Sequence, residues 1–258
     1  VAKVIAITNQ KGGVGKTTTA VNLSAALAAT KQRVLLIDLD PQGNATGASG
    51  VNKSQLKASI NEVLLEEIRA EQAIIKTEWG FALLPGNANL TVAEVRLLSA
   101  EQREHSLQRM LAPLMNQYDF ILIDCPPSLN MLTVNALVAS QSVLVPVQCE
   151  YFALEGLTSL LSSIDNIKRA VNPGLKIEGL LRTMYDGRNR LTMEVSEQLI
   201  EHFHDKVYQT VIPRNVRLAE APSHGMPIIF YDKSSQGAVA YLALAGEMLQ
   251  RVPEELAV

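Results

Sequence analysis

The sequence predicts an α/β fold, a doubly wound, mostly parallel twisted sheet with helices on both faces, and three observations carry that expectation. Short apolar runs alternate with helix-length amphipathic segments along the chain, the order that a parallel sheet with crossover helices requires. Within most runs Val, Ile and Leu occupy consecutive positions rather than alternate ones, so both faces of each strand need cover. A glycine-rich turn, Gly12-Gly13-Val14-Gly15, joins the first run to the first helical segment.

Taken in order, strands are expected at 3–8, 33–38, 81–84, 120–124, 142–147, 177–183 and 210–212. Helices are expected at 17–29, 59–67, 101–117, 131–139, 154–172, 191–204, 216–225 and 235–250. Ser59-Ile60-Asn61-Glu62 has the form of a capping box, and Asn215 can cap the helix after it. Leu154, Leu157, Leu160, Leu161, Ile164 and Ile167 recur at spacings of three and four, so one stripe of that helix is buried. Leu97, Leu98, Leu107, Met110, Leu111, Leu114 and Met115 read as core. No repeat or Pro/Gly-rich linker divides the chain, and residues 1–258 read as a single domain.

Composition narrows the class. The 258 residues are 47% hydrophobic and 19% charged, enough for a full core. No apolar run approaches the roughly 20 residues that span a bilayer. Cys125 and Cys149 lack CxxC spacing, which fits a reducing cytoplasm rather than a disulfide or zinc framework. A net charge of −3 argues against bulk attraction to nucleic acid, so any such contact needs a local patch. His105, His202, His204 and His224 show no metal-ligand spacing.

Chemistry concentrates in three stretches. Gln10-Lys11-Gly12-Gly13-Val14-Gly15-Lys16-Thr17-Thr18 follows an apolar strand and opens an Ala/Leu-rich helix. Glycines let the backbone wrap an anion, and the helix start aims free N–H groups at it. Residues 11–18 therefore read as a phosphate cradle, with Lys16 reaching the β- and γ-phosphates and the Thr17 hydroxyl on Mg²⁺. The loop departs from the usual Walker A pattern, with Gln10 for the first glycine and a second lysine, Lys11. The second stretch, Val34-Leu-Leu-Ile-Asp38-Leu-Asp40, delivers two acids to the carboxyl edge of the sheet, where ligands of such folds bind. The third, Phe120-Ile-Leu-Ile-Asp124, has the form of a Walker B strand, its carboxylate placed to hold Mg²⁺ directly or through water. Charge divides the labour: Lys16, Lys11 and Mg²⁺ neutralise the γ-phosphate, and a carboxylate aims the attacking water. Asp40 lies past the strand end and is assigned that water. Asp38, closer in, is assigned to the Mg²⁺ water shell.

These stretches, with Val145-Pro-Val-Gln-Cys-Glu150-Tyr-Phe-Ala-Leu-Glu155-Gly and Val211-Ile-Pro-Arg-Asn-Val-Arg217-Leu-Ala-Glu-Ala-Pro, resemble the ParA/Soj partitioning ATPases, in the deviant Walker A branch of P-loop NTPases. The similarity runs from about Lys3 to Gln250, and a missing first glycine is normal in that branch. The resemblance implies an ATP-bound homodimer in which Lys11 of one copy reaches the phosphates held by the other. It implies hydrolysis of ATP to ADP that is slow without a partner, and binding of double-stranded DNA without sequence preference. A ParB-like centromere-binding protein would stimulate release, in the cytoplasm on the nucleoid, with chromosome or plasmid DNA as cargo and no membrane. Arg188 and Arg217 match DNA-contacting positions, though a solvated face of surface pairs is the plainer account of that segment. Met184 and Pro213 match positions that enclose adenine, or belong to the core.

Three other classes share the loop. A MinD-like membrane-surface ATPase for division-site placement needs a basic amphipathic C-terminal helix, whereas the last stretch here, Leu249-Gln-Arg-Val-Pro253-Glu-Glu-Leu-Ala-Val258, has a proline and two glutamates. A protein like the nitrogenase iron protein needs cluster-ligating cysteines, for which only Cys125 is placed near the site. A P-loop amide ligase or small-molecule kinase needs a second substrate pocket, which no sequence pattern marks.

Overall fold

The doubly apolar runs become strands because neither face meets water. Along β1 (Lys3–Ile7), Val4 and Ala6 pack into the core on one side of the sheet, and Ile5 and Ile7 into the core on the other. The same division holds in β2 (Val34–Asp38) and β5 (Phe120–Asp124). With β3 (Ile75–Lys76), β4 (Ala82–Leu84), β6 (Ser142–Gln148) and β7 (Lys176–Thr183) they form one seven-stranded sheet, in the order β3-β4-β2-β5-β1-β6-β7. Every pairing is parallel except that of β3 with β4. This computed structural model describes residues 1–251, so the closing segment with Pro253 and two glutamates lies outside the described residues.

Helices cover both faces. One core gathers α1 (Lys16–Ala29), α2 (Asn44–Ala48), α10 (Val216–Glu220), α11 (Ile228–Tyr231) and α12 (Gln236–Gln250). The other gathers α3 (Ile60–Leu64), α4 (Ala70–Ala73), α5 (Leu90–Leu97), α6 (Ser106–Leu111), α7 (Met131–Ala139), α8 (Ala153–Val171) and α9 (Arg190–Phe203). The expected caps form: Ser59 and Glu62 cap α3 reciprocally, and Asn215 Oδ1 accepts from Leu218 N at 3.0 Å. On α8, Leu157, Leu160 and Ile164 are buried, with Leu154, Leu161 and Ile167 packed at the edge. Among the described residues no helix is long and apolar enough to cross a membrane.

Four expectations change. Residues 210–212 are not a strand. They run beside β7, with Ile212 N donating to Arg182 O at 2.9 Å, but side chains take the groups a ladder would use. Arg182 donates to Tyr208 O and Gln209 O, Glu247 accepts from Gln209 N and Thr210 N, and Pro213 has no N–H to give. The seventh strand is instead the two-residue β3. The segment 101–117 is broken into a 3₁₀ turn, α6 and a second 3₁₀ turn at Ala112–Leu114, where Pro113 ends the regular helix. In the same way the segment 216–225 is helical only to Glu220, and the 3₁₀ turn Ala221–His224 containing Pro222 follows it. Leu98 is exposed at the C-cap of α5, not core; the apolar contacts of that helix come from Leu90, Ala93 and Leu97.

The sheet order decides where a site can form. β1 lies between β5 and β6, with Ile7 and Asp38 both in register with Asp124. Three chain segments thus leave the same carboxyl edge side by side, at the position where open α/β sheets bind their ligands.

Candidate functional site

The loop after β1 turns through Gly15, whose φ of 88° is open to glycine but not to most side chains, and α1 starts one residue later at Lys16. The turn is clamped from β7: Thr183 Oγ1 donates to Val14 O at 2.6 Å, and its side chain is what a Cβ on Gly15 would meet. Lys16 bends back over the loop and donates to Lys11 O at 3.0 Å. Burial pulls its ammonium below the usual lysine range, opposed by Asp124, Cys125 and Asp40. A poorly solvated cation inside a ring of backbone is a receptor for phosphate charge. Lys11 differs. Its side chain is half exposed, points out of the loop and pairs with Glu150, which follows β6.

Asp124 ends β5 fully buried. One oxygen accepts from Thr17 Oγ1 at 2.8 Å, and the other, Oδ1, has no partner. Burial and the neighbouring Asp38 raise its pKa, with Thr17 opposing. An orphaned carboxylate oxygen beside a threonine hydroxyl is the donor set for a divalent cation that keeps its waters and rides on substrate phosphates. Among the described residues no three acidic, His or Cys side chains form a self-sufficient metal cage. Thr17 and Asp124 therefore fit Mg²⁺, whose contribution when bound is charge neutralisation of the phosphates.

Asp38, expected at the Mg²⁺ water shell, stands in register with Asp124 and is tied to α2. Its Oδ2 accepts from Thr46 N at 2.8 Å and Thr46 Oγ1 at 2.7 Å, its Oδ1 faces Asp40 N at 3.3 Å, and it is fully buried. The carboxylate is thus turned onto α2, and burial pushes it up to about 6. Asp40 is half-buried and lines the cleft, its Oδ1 accepting from Gln42 N at 2.9 Å. Of the two acids, Asp40 is the one presented to solvent within the site.

A cleft of about 490 Å³ collects these groups. Gly12, Gly13, Gly15, Lys16, Thr17 and Thr18 form its floor and Asp40 its flank; Met184 and Pro213 line the far wall together with Ile212 and Leu218. That apolar wall suits a planar base, and Met184 holds a φ of 47° at the turn out of β7. Lys11, Val14, Asp38 and Asp124 do not line the cleft; they stand at its rim or behind it. Thr183, Gln42, Asn44 and Asn215 line it too. Gln42, Asn44 and Asn215 fall in or just after the stretches that carry the resemblance, which assign them no role in the site, and Thr183 falls in none of them. A second cleft of about 320 Å³ adjoins Thr17 and Thr18 on the other side of Asn44.

Arg188 is almost fully exposed and paired with Asp186 at 3.0 Å. Arg217, also exposed, lies 3.3 Å from Glu220 and 3.6 Å from Asp232. Such pairs contribute little and exchange easily for another anion. Arg182 is buried, bonded to Ser196 Oγ and the 208–209 carbonyls, and belongs to the scaffold. Cys125 is buried and its thiol is pushed up, opposite to what a cluster-ligating thiolate needs.

Known proteins resemble this chain over nearly its whole length. A family model described as an AAA domain matches residues 2–177. The sporulation initiation inhibitor protein Soj of Bacillus subtilis is 51% identical over 247 residues, covering 95% of this chain and 98% of Soj. The chromosome partitioning protein ParA of Myxococcus xanthus is 48% identical over 252 residues, covering 97% of this chain and 89% of that one. A crystal structure of cobyrinic acid a,c-diamide synthase from Mycobacterium smegmatis, with bound ATP analog and magnesium, superposes with a TM-score of 0.85 at 40% identity, covering 97% of this chain and 95% of that one. A cradle after β1, acids ending β5 beside it and β2 beyond, and likeness to Soj and ParA over nearly their whole length lead to one assignment: this chain belongs to the ParA/Soj family of partitioning ATPases, of the P-loop fold.

Proposed function

We propose that the chain, acting as a single domain, is an ATP-dependent DNA-partitioning switch. ATP with Mg²⁺ fills the cleft and draws two copies together. The pair binds double-stranded DNA through Arg188 and Arg217 without reading sequence, and a ParB-like centromere-binding partner speeds hydrolysis to ADP and phosphate and so releases it. The cargo is chromosome or plasmid DNA on the nucleoid. The observation that carries this reading is Lys11: the cradle already holds a buried lysine, and a second one leaves the loop outward. A lysine so placed serves a second copy of the chain better than its own cradle, as an arginine finger does in trans. ATP and Mg²⁺ are supported by the Thr17–Asp124 donor set and by the magnesium-bound Mycobacterium smegmatis structure.

Within the site, Lys16 and the loop backbone hold the phosphates, and Asp40 takes the proton of the water it orients. Asp38 holds α2 so that Asp40 stays at the cleft. Size exclusion with light scattering tests the switch: a dimer in Mg²⁺–ATP and a monomer in Mg²⁺–ADP are expected, and a monomer at every ATP concentration refutes it. DNA contact is tested separately. Arg188→Ala with Arg217→Ala is expected to weaken duplex binding at least about tenfold and to lower the salt slope by about one per arginine removed. The name of the Mycobacterium smegmatis structure favours an amide-ligase reading as well. Phosphate release that requires an added carboxylic acid and an ammonia donor would support that one instead.

A further inference from the structure

The phosphate site and Arg217 lie on different elements, and α2 packs on α1 at the first and on the 3₁₀ turn that follows α10, the helix of the second. At one end Thr46 is bound to Asp38 through its N–H and its hydroxyl, and the same hydroxyl accepts from Gly86 N at 2.9 Å. Asp38 stands in register with Asp124, which holds Thr17. At the other end the chain leaves α2 through Gly50, which meets Gly225, the residue closing the 3₁₀ turn after α10. A Cβ on Gly50 would lie 2.8 Å from Gly225 O, and a Cβ on Gly225 would lie 2.8 Å from Gly50 Cα. Two backbones far apart in sequence thus touch where neither tolerates a methyl group.

Around that contact the junction is open. The 320 Å³ cleft separates α1, α2 and the 3₁₀ turn, with Thr18, Val21, Gly47, Ala48, Ser223 and Met226 on its walls. A close-packed contact transmits small shifts rigidly, and a void beside it gives the moving piece somewhere to go. We infer that Thr46, Gly50 and Gly225 are positioning residues through which occupancy of the phosphate site sets the position of α10, and with it Arg217. The inference rests on the reading of Arg217 as a DNA contact. The two-state element is α2 with its cleft, open or closed, which supplies the physical link that coupling between separate sites requires.

The chain carries its own reporter. Its single tryptophan, Trp79, donates from Nε1 to Ser49 O at 2.9 Å beside Gly50, and its ring lies 5.1 Å from that of Phe230 on α11. Tryptophan emission and duplex binding are to be measured on the full chain in Mg²⁺–ATP and Mg²⁺–ADP, for the wild type, Thr46→Val, Thr46→Ser, Gly225→Ala and Gly246→Ala.

In the wild type an emission difference between the two nucleotides is expected, with a DNA affinity at least about fivefold higher in ATP. Thr46→Val and Gly225→Ala are expected to bind nucleotide yet lose the emission difference and bring the affinity ratio to within about twofold. Thr46→Ser keeps the hydroxyl and is expected to keep both signals. Gly246→Ala on α12, which lines neither cleft and whose methyl enters open space, keeps them as well. Wild-type signals that persist in a nucleotide-binding Thr46→Val overturn the inference. If Gly225→Ala does not fold, the pair Thr46→Val and Thr46→Ser decides alone. If the wild type binds DNA equally in ATP and ADP, the DNA reading falls and the relay is judged on Trp79: no wild-type emission difference, or one that survives in Thr46→Val, refutes it.

Discussion

Asp40→Ala is expected to slow ATP hydrolysis by about 10²–10⁴, the usual contribution of a positioned acid–base group, while ATP still binds and still yields a dimer. The expectation follows from placement. Asp40 is the acid that faces the cleft, whereas Asp38 is spent on Thr46 and Asp124 on Thr17. Lys11→Ala is expected to be as inactive, for a different reason, because its own cradle keeps Lys16 and every acid. Mixing the two inactive variants separates the roles. If Lys11 acts across the dimer, a mixed pair holds one complete site, with Asp40 from one copy and Lys11 from the other. Random pairing of two equal populations then restores about a quarter of wild-type turnover, since half the dimers are mixed and one of their two sites is complete. If Lys11 acts only within its own chain, the mixture stays inactive. Steady-state phosphate release measures both, and wild-type turnover in Asp40→Ala would remove the assignment of the water.

What the sequence disclosed was whatever local chemistry decides. Runs such as Val34–Ile37 are apolar at every position and end in an acid, Asp38, so burial on both faces, a parallel sheet and a carboxylate at its carboxyl edge followed together. The cradle was legible because glycines, a lysine and a threonine at those offsets have few other uses. The tie of Asp38 to Thr46 was not legible because position along a strand does not say which way a carboxylate turns once a buried threonine eight residues later offers two donors. Residues 210–212 looked like a strand because two of the three are β-branched apolar residues and the third is threonine; the side chains of Arg182 and Glu247, distant in sequence, take the Gln209 backbone groups and the Thr210 N–H at the segment's entry instead. Thr183, Asn215 and the Gly50–Gly225 contact depend on tertiary approach, which no spacing encodes.

Asp124→Asn is expected to move stability in opposite directions with and without ligand. In EDTA the wild type holds two buried carboxylates in register, Asp38 and Asp124, one of them with an orphaned oxygen. Each is raised above its unfolded pKa, Asp38 to about 6. A carboxylate raised on folding favours the native state when protonated. Its contribution is fully present below the unfolded value near 4 and is lost as pH rises through about 6. At pH 7.5 without Mg²⁺ Asp38 has lost that contribution, and an amide in place of Asp124 removes a group whose ionised form burial and the Asp38 charge both disfavour. A gain of about 1 kcal/mol corresponds to a Tm higher by about 2–4 °C for a chain of this size. Saturating Mg²⁺–ATP reverses the order. Ligand at a hundred times its Kd stabilises the wild type by about 2.7 kcal/mol, and the Mg²⁺-dependent part of that gain needs the carboxylate that the variant lacks. Scanning calorimetry of both proteins in EDTA, ATP with EDTA and ATP with Mg²⁺ reads the crossing directly. A variant that is less stable than the wild type in EDTA, or that gains as much from Mg²⁺, contradicts the assignment of Asp124 to the metal. The same residue then explains why the native chain tolerates an unfavourable pair at its centre: the charge that weakens the empty fold is the charge that makes occupancy by nucleotide and metal worth a change of state.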